Sequence, residues 1–346
     1  MSKAHNSGTG DESGHAAVHR IAVIGAGSWA TAIIKILCEK QVHINWWMRK
    51  AEDVEHVKTL HHNPRYLTDI EIDPRKVKPT DDLIKALHGA DTVILAVPSA
   101  FLVPSLSGAT SGDFTGKTVI SAIKGMVPGE NIPVTDYLEQ SYGVQPNKMA
   151  VIAGPCHAEE IALERLSYLT ICGTDLETAE AFAAQMRCRY VKAGTNDDLY
   201  GVEFYSVMKN IVAMACGICH GLNYGDNFQA VLVANAIREI KRFVDAAYPR
   251  HRDLNHSAYM GDLLVTAYSL FSRNRTFGNL IGRGYSVTAA QAEMNMIAEG
   301  YYAVRSIHDI NSRHHVHMPI VQAVYSILYE KVSARQEIEK LRDLLA

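Results

Sequence analysis

The chain contains no uninterrupted apolar run of the length a membrane span needs. Residues 1–19 are rich in Ser, Gly, His and charge, lack the apolar stretch of a secretory signal, and read as a disordered tail. No membrane insertion and no export are therefore expected. Cysteine is sparse: the six, Cys38, Cys156, Cys172, Cys188, Cys216 and Cys219, are scattered among apolar neighbours in 346 residues. That pattern suits reduced thiols in the cytoplasm better than a disulfide framework. Charge of one sign is also missing. A net charge of −3 gives no global attraction for nucleic acid or anionic lipid, so any charged ligand must be held by local clusters. Internal repeats are absent, and so are low-complexity tracts beyond the tail. No convincing metal set is present either. His314-His315-x-His317 has no nearby Cys or carboxylate and reads as solvent-exposed. Cys216-Gly-Ile-Cys219-His220 has the spacing of a haem attachment site, but such attachment needs export. The string also falls in a segment, 209–222, that reads as a buried helix, where Cys behaves as a small hydrophobe.

What is present is the composition of an ordinary globular protein, 47% hydrophobic and 21% charged, with length for two cores. From Arg20 to about Val191, short apolar runs alternate with helical patterns, the mark of an α/β domain with a largely parallel sheet. The strand candidates are Ile21–Ile24, His43–Trp47, Thr92–Val97, Thr118–Ala122, Met149–Ala153, Leu169–Cys172 and Arg189–Lys192. Beyond about Leu199 only 3.6-residue periods remain. Helices are expected at Tyr200–Cys219, Asn227–Tyr248, Tyr259–Phe271, Thr288–Ser312, Pro319–Tyr329 and Ser333–Leu345. The expected architecture is a Rossmann-like domain over 20–195 followed by an all-α domain over 196–346, and the helical part suggests a homodimer.

The first strand runs into Gly25-Ala-Gly27-Ser28-Trp29-Ala30, a Gly-x-Gly-x-x-Ala string at the head of a βαβ unit. Gly25 permits the tight turn and Gly27 lets backbone approach a pyrophosphate. A small third residue packs helix on strand, and the helix N-terminus offers N–H groups to phosphate. A carboxylate ending the second strand would grip the ribose hydroxyl of NAD. Here Trp47-Met48-Arg49-Lys50 stands there, with no carboxylate before Glu52, which favours NADP over NAD. Nothing else in the chain points to a flavin.

Four further segments place polar groups where they are costly unless used. Lys124-Gly125 and Gly154-Pro155-Cys156-His157 follow buried strands, at the edge of the sheet where open α/β folds bind ligands. Lys209-Asn210 interrupts an apolar helix, and a buried Lys requires a carboxylate partner or loses its proton. Ser272-Arg273-Asn274-Arg275 follows a helix carrying Gly261-Asp262 and suits a phosphate dianion. Each has a structural counterpart: a loop cation, a solvated cap, an N-cap. Together, beside a nucleotide domain, they favour a site.

Taken with Val97-Pro98-Ser99, Phe277-Gly278, Gly261-Asp262-Leu263 and Glu299-Gly300-Tyr301, these strings resemble the NAD(P)-dependent glycerol-3-phosphate dehydrogenases, the bacterial type above all, from residue 21 to about 330. The resemblance implies reversible reduction of dihydroxyacetone phosphate to sn-glycerol 3-phosphate, feeding phospholipid synthesis. It implies Lys209 as proton donor to the ketone and as base in reverse. Lys124, Cys156, Asp262, Ser272, Arg273 and Asn274 would hold substrate, with Gly154 contacting it through backbone. Gly25, Gly27, Ser28, Trp29, Arg49, Lys124, Ala158, Arg273, Ile297 and Glu299 would hold the cofactor. Two departures stand out: Ala30 replaces the third glycine, and Cys156-His157 replaces a Thr or Asn followed by an apolar residue. The rival readings are a Rossmann dehydrogenase of another hydroxy or keto acid, and a non-catalytic nucleotide sensor.

Overall fold

The computed structural model describes residues 19–294 and 298–345. Residues 1–18 of the expected tail, and Ile297, lie outside the described residues. The first strand begins at His19, one residue inside that tail.

Eight strands form one sheet: β1 His19–Ile24, β2 Val42–Trp47, β3 Val77–Thr80, β4 Thr92–Leu95, β5 Thr118–Ser121, β6 Met149–Ala153, β7 Ser167–Cys172 and β8 Val191–Asn196. Their order is β3-β2-β1-β4-β5-β6-β7-β8. The first six are parallel, with Ile21 opposite both Ile44 and Thr92. β7 turns antiparallel to β6, and β8 runs parallel to β7. This is the doubly wound Rossmann order, whose reversal beside β1 opens a crevice at the carboxyl ends of β1 and β4. Seven helices connect the strands: α1 Ser28–Cys38, α2 Ala51–Leu60, α3 Leu83–Leu87, α4 Leu102–Leu106, α5 Val134–Tyr142, α6 Ala158–Ala162 and α7 Leu176–Met186. Strand side chains alternate between the two faces. Ile21, Val23, Ile94 and Ile120 join α1 and α7 in one core. Ala22, Ile24, Val93, Leu95 and Val119 join α5 and the C-terminal helices in the other.

Eight helices follow: α8 Leu199–Gly221, α9 Asp226–Ala247, α10 Asp262–Tyr268, α11 Arg273–Gly282, α12 Val287–Glu293, α13 Glu299–His314, α14 Pro319–Leu328 and α15 Ala334–Arg342. α8 is the axle of this half. The Asp198 carboxylate caps its first turn by accepting from the Gly201 N–H at 3.1 Å, and Arg252 Nε and Tyr259 hold Asp198 in place. By length and composition α8 could cross a membrane. It contains Glu203 and Lys209, and its apolar window is wholly buried inside the fold.

Several expected elements differ. β3 went unanticipated because Val77-Lys-Pro-Thr is a four-residue edge strand, the one place in a sheet where Pro79 is tolerated. The strand expected at Arg189–Lys192 is displaced to Val191–Asn196. The helix expected over Tyr259–Phe271 begins as a π-turn at Ser257–Gly261 and ends at Tyr268. That expected over Thr288–Ser312 is two helices, with Met294 and Ala298 extended between them. α11 has no clear helical signature in the sequence, since its glycines and asparagines weaken the pattern.

Those glycines have a packing role. α8 and α11 lie backbone against backbone along Gly217 and Gly221 on one side and Gly278 and Gly282 on the other. A methyl group at Gly278 would lie 2.1 Å from the Met214 carbonyl oxygen, and one at Gly217 2.1 Å from that of Arg275. This seam brings the first turn of α11, Arg273–Asn274, against the middle of α8, where Lys209 lies. Gly278→Ala is expected to lower stability by about 1–3 kcal/mol in urea denaturation, through overpacking of backbone that cannot give way.

Candidate active site

The glycine loop is built for close backbone approach. Gly25 has φ +133°, and a methyl group there would meet the Ala96 carbonyl oxygen at 2.5 Å. The Trp46 indole donates to the Gly25 carbonyl at 2.6 Å. Asn63 donates to the Ala26 carbonyl at 3.0 Å and to Thr31 Oγ1 at 2.8 Å, fixing the turn from below. At Gly27 the direction of a missing side chain meets nothing within 4 Å. Gly27 is also the N-cap of α1, with no side-chain cap and no carboxylate in the first turn. The loop therefore presents uncapped N–H groups and open space, the fit a dinucleotide pyrophosphate requires.

The loop faces a cavity of about 390 Å³. Of the sequence-derived site residues, Gly27, Ser28, Trp29, Lys124, Cys156, Ala158, Lys209, Asp262, Ser272, Arg273, Asn274 and Glu299 line it. Gly25 and Gly154 are buried and do not line it. Arg49 is exposed at the rim, its guanidinium 5.5 Å from the ring centre of the lining residue Phe101. The Gly154 N–H donates to Asp262 Oδ2 at 3.3 Å.

At the centre Lys209 Nζ donates to Asp262 Oδ1 at 2.7 Å and to Thr266 Oγ1 at 2.8 Å. Lys124 Nζ approaches the other carboxylate oxygen at 3.5 Å. An ammonium has three donors, so one remains for a ligand. Burial pulls Lys209 down to about 8; Asp262 resists the fall and Lys124 adds to it. Burial alone would raise Asp262, but the two lysines outweigh it and hold its carboxyl below the usual range. The π-turn before α10 delivers Asp262, and Thr266, one turn further on, shares its face. Asn210, next along α8, donates to the Lys124 carbonyl at 2.8 Å and so fixes the second lysine's backbone.

Helical and sheet halves are joined at the rim. Ser99 donates through its N–H to Glu299 Oε1 at 2.9 Å and through its hydroxyl to Oε2 at 2.5 Å. A side chain at Gly125 would strike both partners, at 2.5 and 2.6 Å. Burial raises the Glu299 carboxyl. Asn274 Oδ1 accepts from the Gly300 N–H at 2.9 Å, and Ser272 caps α11. Cys156 is buried and its thiol is pushed up to about 12 by burial, which makes it a poor nucleophile. His157 is pulled down to about 4 by burial and by the ammonium groups of Lys209 and Lys124. Cys216 and Cys219 are buried on α8, as a core reading of that string requires. No group of three metal-ligating side chains occurs among the described residues.

Sequence reasoning left Thr266, Ser99 and Asn63 unassigned. The i, i+4 spacing from Asp262 was the available signal for Thr266, whereas Asn63, in an irregular segment, gave none.

A glycine loop at the crevice of a doubly wound sheet, facing a buried Lys–Asp pair, defines a dinucleotide-linked oxidoreductase. Comparison with known proteins narrows the class. Residues 20–179 match the model of the NAD-dependent glycerol-3-phosphate dehydrogenase N-terminus, and 198–339 that of its C-terminus. A glycerol-3-phosphate dehydrogenase [NAD(P)+] of Nocardia farcinica is 35% identical over 328 residues, 93% of this chain and 97% of that protein. One of Chlorobium phaeobacteroides is 32% identical, covering 92% and 96%. The crystal structure of glycerol-3-phosphate dehydrogenase from Coxiella burnetii superimposes with a TM-score of 0.87 at 28% identity, covering 94% and 98%. The chain belongs to the NAD-dependent glycerol-3-phosphate dehydrogenase family.

Breaking the central pair leaves a charge buried alone. Asp262→Asn is expected to cost about 3–5 kcal/mol in urea denaturation at pH 7. Thr266→Val, which removes one neutral partner, is expected to cost about 1 kcal/mol.

Proposed function

We propose that this chain catalyses the reversible NAD(P)H-dependent reduction of dihydroxyacetone phosphate to sn-glycerol 3-phosphate, a precursor of glycerophospholipids. The observation that carries this reading is the Lys209 ammonium, tied to Asp262 and Thr266 and facing the same cavity as the glycine loop. The nicotinamide, when bound, supplies the hydride for the carbonyl carbon. Its dinucleotide is held by the Gly25–Gly27 turn, Ser28 and Trp29, with Arg49, Ala158, Arg273, Ile297 and Glu299 as further contacts. Lys209 donates a proton to the carbonyl oxygen as negative charge develops there, and takes it back in the oxidative direction. Asp262 holds the ammonium on that line, and Lys124 adds positive potential beside the developing oxyanion. Ser272, Arg273 and Asn274 hold the phosphate end, remote from the reacting carbon, so that its binding energy positions the carbonyl.

Cofactor choice favours NADPH. Beyond β2 the first carboxylate is Glu52, and Lys50 at 3.2 Å and Arg65 at 2.6 Å already engage it. Arg49 is left at the rim, suited to a 2′-phosphate. We also infer a cytoplasmic enzyme, from its free thiols, with the division between its two domains at residues 195–196. A homodimer joined through the helical half completes this reading.

Initial rates with dihydroxyacetone phosphate test the proposal. Lys209→Ala is expected to lower kcat by about 10²–10⁴-fold. Reduction requires the ammonium, so kcat/KM for the ketone falls as pH rises through about 8. Oxidation of glycerol 3-phosphate requires the neutral amine and rises over the same interval. A flat profile, or preferred turnover of an unphosphorylated keto acid, overturns the assignment. Arg49→Ala is expected to reduce kcat/KM with NADPH about tenfold while leaving NADH nearly unaffected, as loss of one charge-assisted contact implies.

A further inference from the structure

His157 occupies the junction of β6 and α6 in the wall of the same cavity, and no step above uses it. Its Nε2 is buried with no hydrogen-bond partner among the described residues. Buried polar atoms are rarely left unpaired, and an orphan on a cavity wall points to a ligand atom that completes it. A second orphan on this wall, Trp29 Nε1, lies beside the glycine loop at the cofactor end. His157 belongs to the other end. Its ring is 5.9 Å from that of Phe271, the residue before Ser272, and it feels the charges of both Lys209 and Lys124. Burial first, and then those two ammonium groups, discourage protonation of the imidazole, which therefore remains a neutral ring in the substrate half of the cavity.

We propose that His157 is a specificity-determining residue that hydrogen-bonds an oxygen of the bound phosphorylated ketone through Nε2. The inference rests on the substrate proposed above. A neutral imidazole can donate to a phosphate or carbonyl oxygen, or accept from a hydroxyl, and a phosphorylated hydroxyketone offers all three. A buried site built to make such a bond discriminates against ligands that cannot return it.

The experiment is steady-state kinetics with NADPH and dihydroxyacetone phosphate for the wild type, His157→Phe and His157→Gln. NADPH affinity and thermal midpoint are measured alongside. His157→Phe is expected to raise KM about tenfold with kcat within about threefold, and His157→Gln, which keeps a polar end, to recover most of the loss. Hydroxyacetone phosphate identifies the partner. A KM for this analogue that no longer responds to His157→Phe assigns the bond to the missing hydroxyl, and an undiminished response assigns it to phosphate or carbonyl. If His157→Phe fails to fold, His157→Ala, which adds no bulk, takes its place. A KM within twofold of wild type in the Phe or Ala variant, or no recovery by Gln, overturns the inference and leaves the proposed reaction standing. A wild type that does not turn over dihydroxyacetone phosphate overturns the reaction itself.

Discussion

Two opposite charges buried together, Lys209 and Asp262, constrain much of this structure. Neither is stable alone in a dry interior, so each must be delivered to the other within hydrogen-bonding distance. That requirement explains features that otherwise look unrelated. The π-turn at Ser257–Gly261 sets the register of α10 so that Asp262 meets α8, and Thr266 closes the same face. The Gly154 N–H, at the end of β6, is given to the far oxygen of Asp262. Sheet, helix α8 and helix α10 thus converge on one carboxylate. Burial, with Lys124 beside it, lowers the lysine to about 8 against the pull of Asp262, and there an amine can exchange a proton in either direction.

The two halves of the molecule are tied at more than this one point. Ser99 and Glu299 clasp across the rim, and Asn210 reaches back to the carbonyl of Lys124. Gly125 is required because any side chain would push the clasp apart. Small residues here are a matter of clearance, whereas at Gly25 the backbone angle itself forbids a side chain. Both kinds of glycine leave the cavity lined by functional groups on rigid supports instead of on free loops.

Much of this was legible in the residues, for identifiable reasons. β1, β4, β5 and β6 are buried on both faces and announce themselves as short apolar runs. The glycine loop is recognisable because it follows one such run and opens a helix. Lys209 stood out because an ammonium in an apolar helix demands a partner, and Asp262 was available. β3 was invisible, since an edge strand of Val, Lys, Pro and Thr has no core face to advertise. α11 was hidden by the glycines that let it approach α8, for close helix contact and high helix propensity make opposite demands on the same positions. The interruption between α12 and α13 left no mark in the periodicity either. The unpaired nitrogen of His157 depends on what surrounds it in space, which sequence spacing does not report.

The position of Lys209 along α8 has a consequence for durability. Local opening of a protein begins where few buried contacts hold the backbone, at frayed ends and exposed turns. α8 has no such weak point near residue 209: from Leu199 to Cys219 nearly every residue is enclosed by other helices or by the sheet. Partial fluctuations can loosen the surface turns that admit ligands while leaving the proton-transferring group seated, so this part of the chemistry persists until the whole fold gives way.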